Sequence, residues 1–307
     1  MKVQNWIKRG LLFEMGQAHI IKSYAVVPNG FWITKHILRI LFSSRNSANQ
    51  SIPYFVDYDF KSKTVLNAPS LINLPIGNIG TFDDSGIMPV CTIYNNDEIW
   101  LYYQGWNLGV TVPFRNSIGI AVSTDNAITF KKMFEGPILD RTKEEPYFVG
   151  TGHVILDEGI YKMWYLSCTK WDSIDDKLVH FYHIKYATSI DGINWQRTGK
   201  VAIDFLYENE YAISVPRVIK ENGMYKMWYS YRGGLKSENY RIGYAESVDG
   251  VDWIRKDSLI ILETSNGSWD SEMLCYPFIF HYDGNTYMLY NGNDYGKTGF
   301  GLAILEE

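Results

Sequence analysis

The hexamer YKMWYL, which begins at Tyr161, recurs almost unchanged as YKMWYS from Tyr225. Each copy belongs to a longer unit that also repeats, because IKYATSIDGINWQRTG (184–199) corresponds to IGYAESVDGVDWIRKD (242–257). A unit consists of an apolar segment, an acid-and-glycine turn, the aromatic hexamer, a loop, an A-x-S-x-D-G segment and a last segment that carries tryptophan. Short aromatic and β-branched segments between such turns predict antiparallel strands. The chain is therefore expected to consist of copies of one small antiparallel sheet.

The same order of segments extends over the rest of the chain. Residues 86–130 and 274–303 repeat it, and residues 24–66 give a more divergent first copy. The last copy lacks its fourth strand, and NWIKRGLLF (5–13) resembles the fourth strands of the preceding copies. Joining the two ends of the chain in one sheet requires a closed ring. The sequence thus predicts an all-β fold: one five-bladed β-propeller domain over residues 1–307, with four antiparallel strands per blade and the N-terminal strand completing the last blade.

Composition sets the broad class of the protein. The chain has 307 residues, of which 46% are hydrophobic and 16% aromatic, enough for a large core. A formal charge of −5 disfavours a nucleic-acid partner, and no apolar run approaches the roughly 20 residues of a membrane span. The three cysteines lack metal-ligand spacing, and the N-terminus lacks the apolar stretch of a signal peptide. We expect a cytoplasmic protein without membrane insertion, metal or cofactor; its oligomeric state is left open.

The predicted topology places the most unusual residues on one face of the ring. In a blade, the loop entering the inner strand and the loop between the second and third strands share a face. The entry loops carry acids, and cleavage of a glycosidic bond needs one protonated and one ionised carboxyl group. We predict Asp84, with Glu272 or Glu210, as acid and base, and Asp83 as a binding residue. Neighbouring strand residues point to opposite faces, so only one of Asp83 and Asp84 is expected to face the pocket, and Asp84 is favoured. The alternative is that these acids cap loops or pair with arginines; Glu145 is expected in a solvated loop.

The loops between second and third strands add aromatic, amide and basic side chains that suit a sugar. The arginines exceed what a neutral sugar needs, which favours an anionic or nucleotide-linked one. His153 is placed in the inner-strand position that holds proline in other units, facing the axis. Besides Asp83, the expected substrate-binding residues are His19, Trp106, Arg115, Asn116, His153, Trp171, His183, Arg217, Arg232, Arg241, Asp270, Asn291, Asn293 and Tyr295.

The paired YKMWY segments and the A-x-S-x-D-G segments resemble the five-bladed propeller glycosidases. That superfamily comprises arabinanases, xylosidases, invertases, levanases and mannoside phosphorylases. The segments GTFDDSGIMP, VTVPFRNSIGIAVS and YNGNDYGKTGFGLA also resemble intracellular propeller proteins of polysaccharide-biosynthesis loci. The resemblance implies a cytosolic sugar or activated sugar as substrate. It also implies a catalytic Asp in the first blade, where this chain has Glu14 and His19 but no Asp, so the catalytic trio is not transferred.

Two functions follow from the sequence. The first is a glycosidase-like enzyme that cleaves or transfers a glycosidic or glycosyl-phosphate bond with paired carboxylates. The second is a non-catalytic module that binds sugars or helps to assemble the machinery of polysaccharide biosynthesis. Paired carboxylates in a deep axial cavity would favour the enzyme, and acids that are all held in ion pairs would favour the binding module.

Overall fold

Strands occupy most of the chain, and the all-β prediction is confirmed. The computed structural model describes residues 3–15, 23–234 and 237–306. Two short helical turns, Asp257–Leu259 and Asn293–Gly296, interrupt the strands, and no helix in these ranges is long enough to cross a membrane. The strands are β1 (Gln4–Glu14), β2 (Val26–Trp32), β3 (Ile37–Arg45), β4 (Ser51–Asp59), β5 (Thr64–Val65), β6 (Ser70–Leu71), β7 (Gly86–Asn95), β8 (Glu98–Leu108), β9 (Phe114–Ser123), β10 (Lys131–Lys132), β11 (Val149–Asp157), β12 (Ile160–Ile174), β13 (Lys177–Ser189), β14 (Gln196–Ile203), β15 (Ala212–Glu221), β16 (Met224–Gly233), β17 (Ser237–Ser247), β18 (Ile254–Arg255), β19 (Ile260–Ile261), β20 (Cys275–Tyr282), β21 (Asn285–Asn291) and β22 (Gly299–Glu306).

Consecutive strands pair in antiparallel groups. The groups are β2-β3-β4, β7-β8-β9-β10, β11-β12-β13-β14, β15-β16-β17-β18 and β20-β21-β22. The short strands β5 and β6 both pair with β4. The first strands of the groups contact one another in a cycle, β2 to β7 to β11 to β15 to β20 and back to β2. We call β2, β7, β11, β15 and β20 the axial strands, because this cycle surrounds a common centre.

The repeated hexamers are the second strands of two neighbouring groups. They lie in β12 and β16, and their Trp164, Tyr165, Trp228 and Tyr229 side chains are buried. Trp164 Nε1 donates to the carbonyl oxygen of Gly250, 2.8 Å away in the next group. The hexamers therefore pack the sheets against each other, and the repetition reflects the core.

The N-terminal strand pairs with the last strand of the chain. β1 lies antiparallel to β22, and Trp6 is opposite Leu305 in this pair. Trp6 is buried among side chains of β16 and β22, beside Trp228 and Ala303. The first and last segments of the chain thus share one sheet.

Every axial strand contains a β-bulge at the same level. The bulges lie between Val26 and Asn29, Pro89 and Cys91, Gly150 and Gly152, Ser214 and Arg217, and Cys275 and Phe278. In three of them the residue before a proline has a positive φ: 55° at Val27, 49° at Val215 and 57° at Tyr276. Left-handed backbone at such side chains costs on the order of 1–3 kcal/mol each and persists where the surroundings enforce it. The three strained residues therefore lie at the level of the bulges in the axial strands.

At the bulges, some backbone N–H groups donate hydrogen bonds to side chains instead of to the neighbouring strand. Val27 N–H donates to Asn291 Oδ1 at 2.9 Å, and Tyr276 N–H donates to Ser230 Oγ at 2.7 Å. Thr151 N–H donates to Gln104 Oε1 at 2.9 Å. Buried polar side chains of neighbouring strands therefore hold the bulged backbone in place.

Candidate functional site

A cavity of about 400 Å³ opens at the level of the bulges. Each axial strand contributes to its lining, with Val27, Met88, Thr151, Val215 and Tyr276 among the lining residues. Bulges re-aim side chains and occur often beside active sites. The strained backbone and the cavity coincide, which makes this cavity the candidate functional site.

Aromatic side chains form two walls of the cavity. On one side the Trp106 and Phe114 rings are 4.9 Å apart, and Phe148 packs 5.7 Å from Phe114. On the other side the Tyr276 ring packs against Tyr240, at 5.8 Å, and Tyr295, at 6.4 Å. Flat apolar walls with polar groups between them suit the stacking of a sugar ring.

Two arginines give the cavity a positive charge. Arg45 lies 5.5 Å from the Trp106 ring, and its Nη1 donates to the Asn49 carbonyl at 2.9 Å. Arg232 lies 4.6 Å from the Tyr240 ring, and its Nη1 donates to the Tyr295 hydroxyl at 3.1 Å. Burial lowers the pKa of Arg45, but a guanidinium stays charged at any physiological pH.

Within residues 3–15, 23–234 and 237–306, no carboxylate lines the cavity, and neither Arg45 nor Arg232 forms an ion pair. The Nε atom of Arg232 is buried without a hydrogen-bond partner in this part of the chain. Two unpaired cations in one aromatic cavity favour an anionic ligand.

Another pair of polar atoms lacks a partner. Trp106 and Asn116 lie directly opposite each other in β8 and β9, and both line the cavity. Trp106 Nε1 and Asn116 Oδ1 are buried and make no hydrogen bond with the described residues. A hydroxyl group accepts one hydrogen bond and donates another, so a single sugar hydroxyl would satisfy both atoms.

His180 lies in the cavity wall beside Tyr182, with the two rings 5.1 Å apart. Burial, and then the charge of Arg232, lower the pKa of His180 to about 4. The imidazole is therefore neutral at physiological pH and contributes no positive charge to the cavity.

This lowered pKa predicts a pH dependence of stability. Between pH 6.5 and about 4, the unfolded chain binds a proton at His180 that the folded protein does not bind. As the pH falls through that window, the free energy of unfolding therefore decreases by about 1.4 kcal/mol for each pH unit. Urea denaturation of the wild type and His180→Gln at several pH values measures this contribution. Below pH 6.5 the free energy of unfolding of the wild type is expected to fall more steeply with pH than that of His180→Gln, and above pH 6.5 the two should change in parallel. Parallel curves over the whole range would contradict the lowered pKa of His180.

The predicted acids occupy a different place. A buried acid precedes several axial strands and pairs with a cation of an outer strand. Asp83 lies 2.5 Å from Lys132 Nζ and accepts from the Tyr103 hydroxyl at 3.1 Å. Asp270 lies 2.5 Å from Lys8 Nζ and accepts from the Tyr290 hydroxyl at 3.0 Å. The geometry repeats between groups, so these acids tie the entry loop to the second and outer strands.

Glu145 and Glu210 extend this pattern. The Glu145 carboxylate accepts from the Tyr165 hydroxyl at 3.0 Å and pairs with Arg197 at 3.2 Å. It is 4% exposed, so the expectation of a solvated loop was wrong. Glu210 binds Arg255 through two hydrogen bonds of 2.7 and 2.8 Å. We call Asp83, Glu145, Glu210 and Asp270 the entry acids; none of them lines the cavity.

The other predicted catalytic acids also lie outside the cavity lining. Asp84 accepts hydrogen bonds from the Gly80 N–H of its own loop at 3.0 Å and from Asn107 Nδ2 of β8 at 3.1 Å. Burial alone would raise the pKa of Asp84, but these bonds and that from Ser85 lower it, so the group is ionised at neutral pH. The Glu272 side chain is exposed to solvent.

The structure brings some of the predicted binding residues into the cavity. Those that line it are Trp106, Asn116, Arg232 and Tyr295. Trp171 packs behind the wall, 4.7 Å from His180. Asn291 holds the bulge at Val27 from below. His19 lies outside the described residues.

The remaining predicted binding residues do not line the cavity and serve local structure. Asn293 Oδ1 accepts from the backbone N–H of Glu272, and Arg241 donates to the Glu272 carbonyl. His183 Nδ1 lies 3.0 Å from Asp204. Arg115 is half-buried in β9.

His153 and Arg217 contact each other below the cavity. The Arg217 Nη1 atom lies 2.5 Å from His153 Nε2, and both residues occupy equivalent positions in β11 and β15. The position of the prolines is held instead by Gly152, which pairs with Tyr165 as Pro89 pairs with Tyr103. The predicted alignment was wrong by one residue, and a shift of one residue turns a strand side chain to the opposite face.

Sequence reasoning missed several cavity residues. They are Arg45, Gln104, His180, Tyr182 and Tyr240. Arg45 ends β3 in the most divergent copy, and His180 lies in a hairpin longer than that of any other group. Tyr240 directly precedes Arg241, which was among the predicted binding residues.

A known protein is similar to this chain over nearly its whole length. No family model matches the chain. The uncharacterized protein Rv1502 of Mycobacterium tuberculosis is 38% identical over 304 residues, which cover 98% of this chain and 99% of that protein. The chain belongs to the Rv1502 family.

A shorter part of the chain is similar to a protein that is named for an enzymatic activity. A 1,2-beta-oligomannan phosphorylase of Thermoanaerobacter sp. is 37% identical over 82 residues, which are 26% of this chain and 27% of that protein. A solved structure described as a glycoside hydrolase superposes with a TM-score of 0.77 at 15% identity, covering 99% of this chain and 93% of that one. The Rv1502-family chain thus shares the fold of solved structures described as glycoside hydrolases, as the resemblance implied.

Proposed function

We propose that this Rv1502-family protein is a carbohydrate-active enzyme that transfers a glycosyl group between a sugar and phosphate in the axial cavity. In this proposal the chain is a single five-bladed propeller domain, in which the antiparallel groups are the blades and β1 is the outer strand of the last one. The observation that carries it is the lining of the cavity: aromatic walls, two unpaired arginines and no carboxylate among the described residues.

This lining does not suit hydrolysis by two carboxylates. That mechanism places two carboxyl groups about 5–10 Å apart across the scissile bond. Here the buried entry acids are neutralised by Lys132, Arg197, Arg255 and Lys8. Phosphate, in contrast, brings its own negative charge and nucleophilic oxygen, so a site that uses it needs cations. Arg45 and Arg232 are the cations available in this cavity.

The reaction balances with phosphate as the nucleophile. A phosphate oxygen forms a bond to the anomeric carbon, the glycosidic C–O bond breaks, and the leaving sugar hydroxyl takes up a proton. The reverse direction builds a glycosidic bond from a glycosyl phosphate. The partial similarity to an oligomannan phosphorylase supports this class of reaction. Sugar phosphates are held inside cells, so we place the protein in the cytoplasm.

A substrate panel tests the proposal. The purified protein is incubated with inorganic phosphate and β-1,2-, β-1,4- and α-linked manno-, gluco- and galacto-disaccharides, and glycosyl phosphate is detected by mass spectrometry. Formation of glycosyl phosphate that requires added phosphate is the expected result. Release of free sugar at the same rate without phosphate would show hydrolysis instead. Sugar binding without any turnover, in calorimetry with the same panel, would show the non-catalytic module.

A further inference from the structure

Transfer to phosphate requires a proton donor for the leaving sugar, and the cavity holds one that is not a carboxyl group. The Tyr182 and Tyr240 hydroxyl groups contact each other in the cavity wall. The two tyrosines are 5% and 2% exposed. Ser214 Oγ lies 3.5 Å from the Tyr240 oxygen and donates to it.

The two hydroxyl groups can share their hydrogen bond in either direction, and one of the two arrangements distinguishes the tyrosines. With Tyr182 as the donor in the pair, the Tyr240 oxygen accepts from both Tyr182 and Ser214. A phenol that accepts twice still has its own proton to donate to a third partner. Within the described chain no acceptor for the Tyr240 proton other than Tyr182 is found, so in this arrangement the proton remains for a ligand in the cavity.

The Arg232 charge and two hydroxyl groups partly offset the effect of burial on the ionisation of Tyr240. The Arg232 guanidinium lies 4.6 Å from the centre of the Tyr240 ring. Burial raises the pKa of Tyr240, whereas Arg232, Ser214 and Tyr182 oppose that rise. A cation and two hydroxyl donors placed in advance around the oxygen stabilise the charge that develops when the proton leaves.

We propose that Tyr240 is the catalytic acid that protonates the leaving sugar oxygen, with Tyr182, Ser214 and Arg232 stabilising its phenolate. The inference rests on the proposed transfer to phosphate. The Tyr240 O–H bond breaks as the glycosidic C–O bond breaks, and the proton passes to the leaving oxygen. The attacking hydrogen phosphate forms the bond to the anomeric carbon and then returns its proton to the phenolate, so the enzyme ends unchanged.

The test compares leaving groups. A sugar alcohol needs a proton to leave, but a nitrophenolate does not. Tyr240→Phe is therefore expected to slow phosphate-dependent cleavage of the active disaccharide by about 100-fold to 10,000-fold, the usual contribution of a general acid. Cleavage of the nitrophenyl glycoside of the same sugar is expected to stay near the wild-type rate. The matched control is Tyr244→Phe, in the same strand, whose hydroxyl donates to Glu246 outside the cavity.

The outcomes separate the two proposals. A loss confined to the disaccharide, with Tyr244→Phe unaffected, supports Tyr240 as the acid. An equal loss with both leaving groups, or no loss at all, overturns this role while the transfer reaction stands. A wild type that forms no glycosyl phosphate from any disaccharide overturns the proposed function itself. The aromatic ring that packs on Arg232 is retained in Tyr240→Phe, and its thermal unfolding is compared with that of the wild type.

Discussion

Replacing Arg232 with methionine is expected to weaken phosphate binding by about 30-fold to several thousand-fold. The methionine keeps an apolar stem between Tyr211 and Tyr240, which lie 5.0 and 4.6 Å from the guanidinium. It removes the charge and the unpartnered Nε donor. Losing one partner of a buried charge-assisted contact costs about 2–5 kcal/mol, and about 1.4 kcal/mol corresponds to a factor of ten in affinity.

Calorimetric titration with inorganic phosphate measures this effect. Arg115→Met is the matched control, because Arg115 lies in β9 on the same side of the molecule but does not line the cavity. The control is expected to bind phosphate as the wild type does. Equal weakening in both variants would indicate a general effect of net charge, and unchanged binding by Arg232→Met would remove the basis for an anion in this cavity.

Replacing Glu210 with glutamine is expected to lower the free energy of unfolding by about 3 kcal/mol. Breaking a buried ion pair costs about 3–5 kcal/mol, because the remaining charge is buried without compensation. The lower end applies here since Arg255 keeps a second carboxylate, Asp257, at 2.7 Å. Glu210 also accepts the Leu206 N–H at 2.6 Å, so the loop before β15 loosens as well.

Urea denaturation checks this expectation against an exposed pair. Asp172 lies 3.0 Å from Lys170 in a solvent-exposed hairpin, and Asp172→Asn should change stability by less than about 1 kcal/mol. If Glu210→Gln costs no more than this control and abolishes turnover while the fold stays intact, the structural role of Glu210 is refuted and its original assignment as a catalytic residue returns.

The repeats made the architecture predictable. Aromatic segments such as those at Tyr161 and Tyr225 became buried second strands because alternation and turn residues are local signals. The pairing of residues near Trp6 with the last strand was also visible, since the same outer-strand pattern occurs in each copy. The strand pattern within each copy agrees with the way the strands pair in the fold, so the pairing could be predicted from the pattern.

The candidate site was less predictable, and the entry acids show why. Asp83 and Asp270 stand in loops that converge on the axis, where catalytic acids were expected. Their role depends on Lys132 and Lys8, which lie far away in sequence and reach the acids only through folding. The sequence also could not reveal the bulges, and the one-residue error at His153 follows from them, because a bulge changes which side chain faces the cavity.

The pairing of β1 with β22 sets the order in which the protein can be completed. The strand around Trp6 leaves the ribosome long before its partner around Leu305. Until then Trp6 has no finished sheet to enter, and the loop to be closed spans nearly the whole chain, which makes such pairing slow. A nascent chain thus carries β1 without its partner strand until Leu305 has been synthesised. Pulse-labelled hydrogen exchange should therefore show β1 protected after β12 and β16.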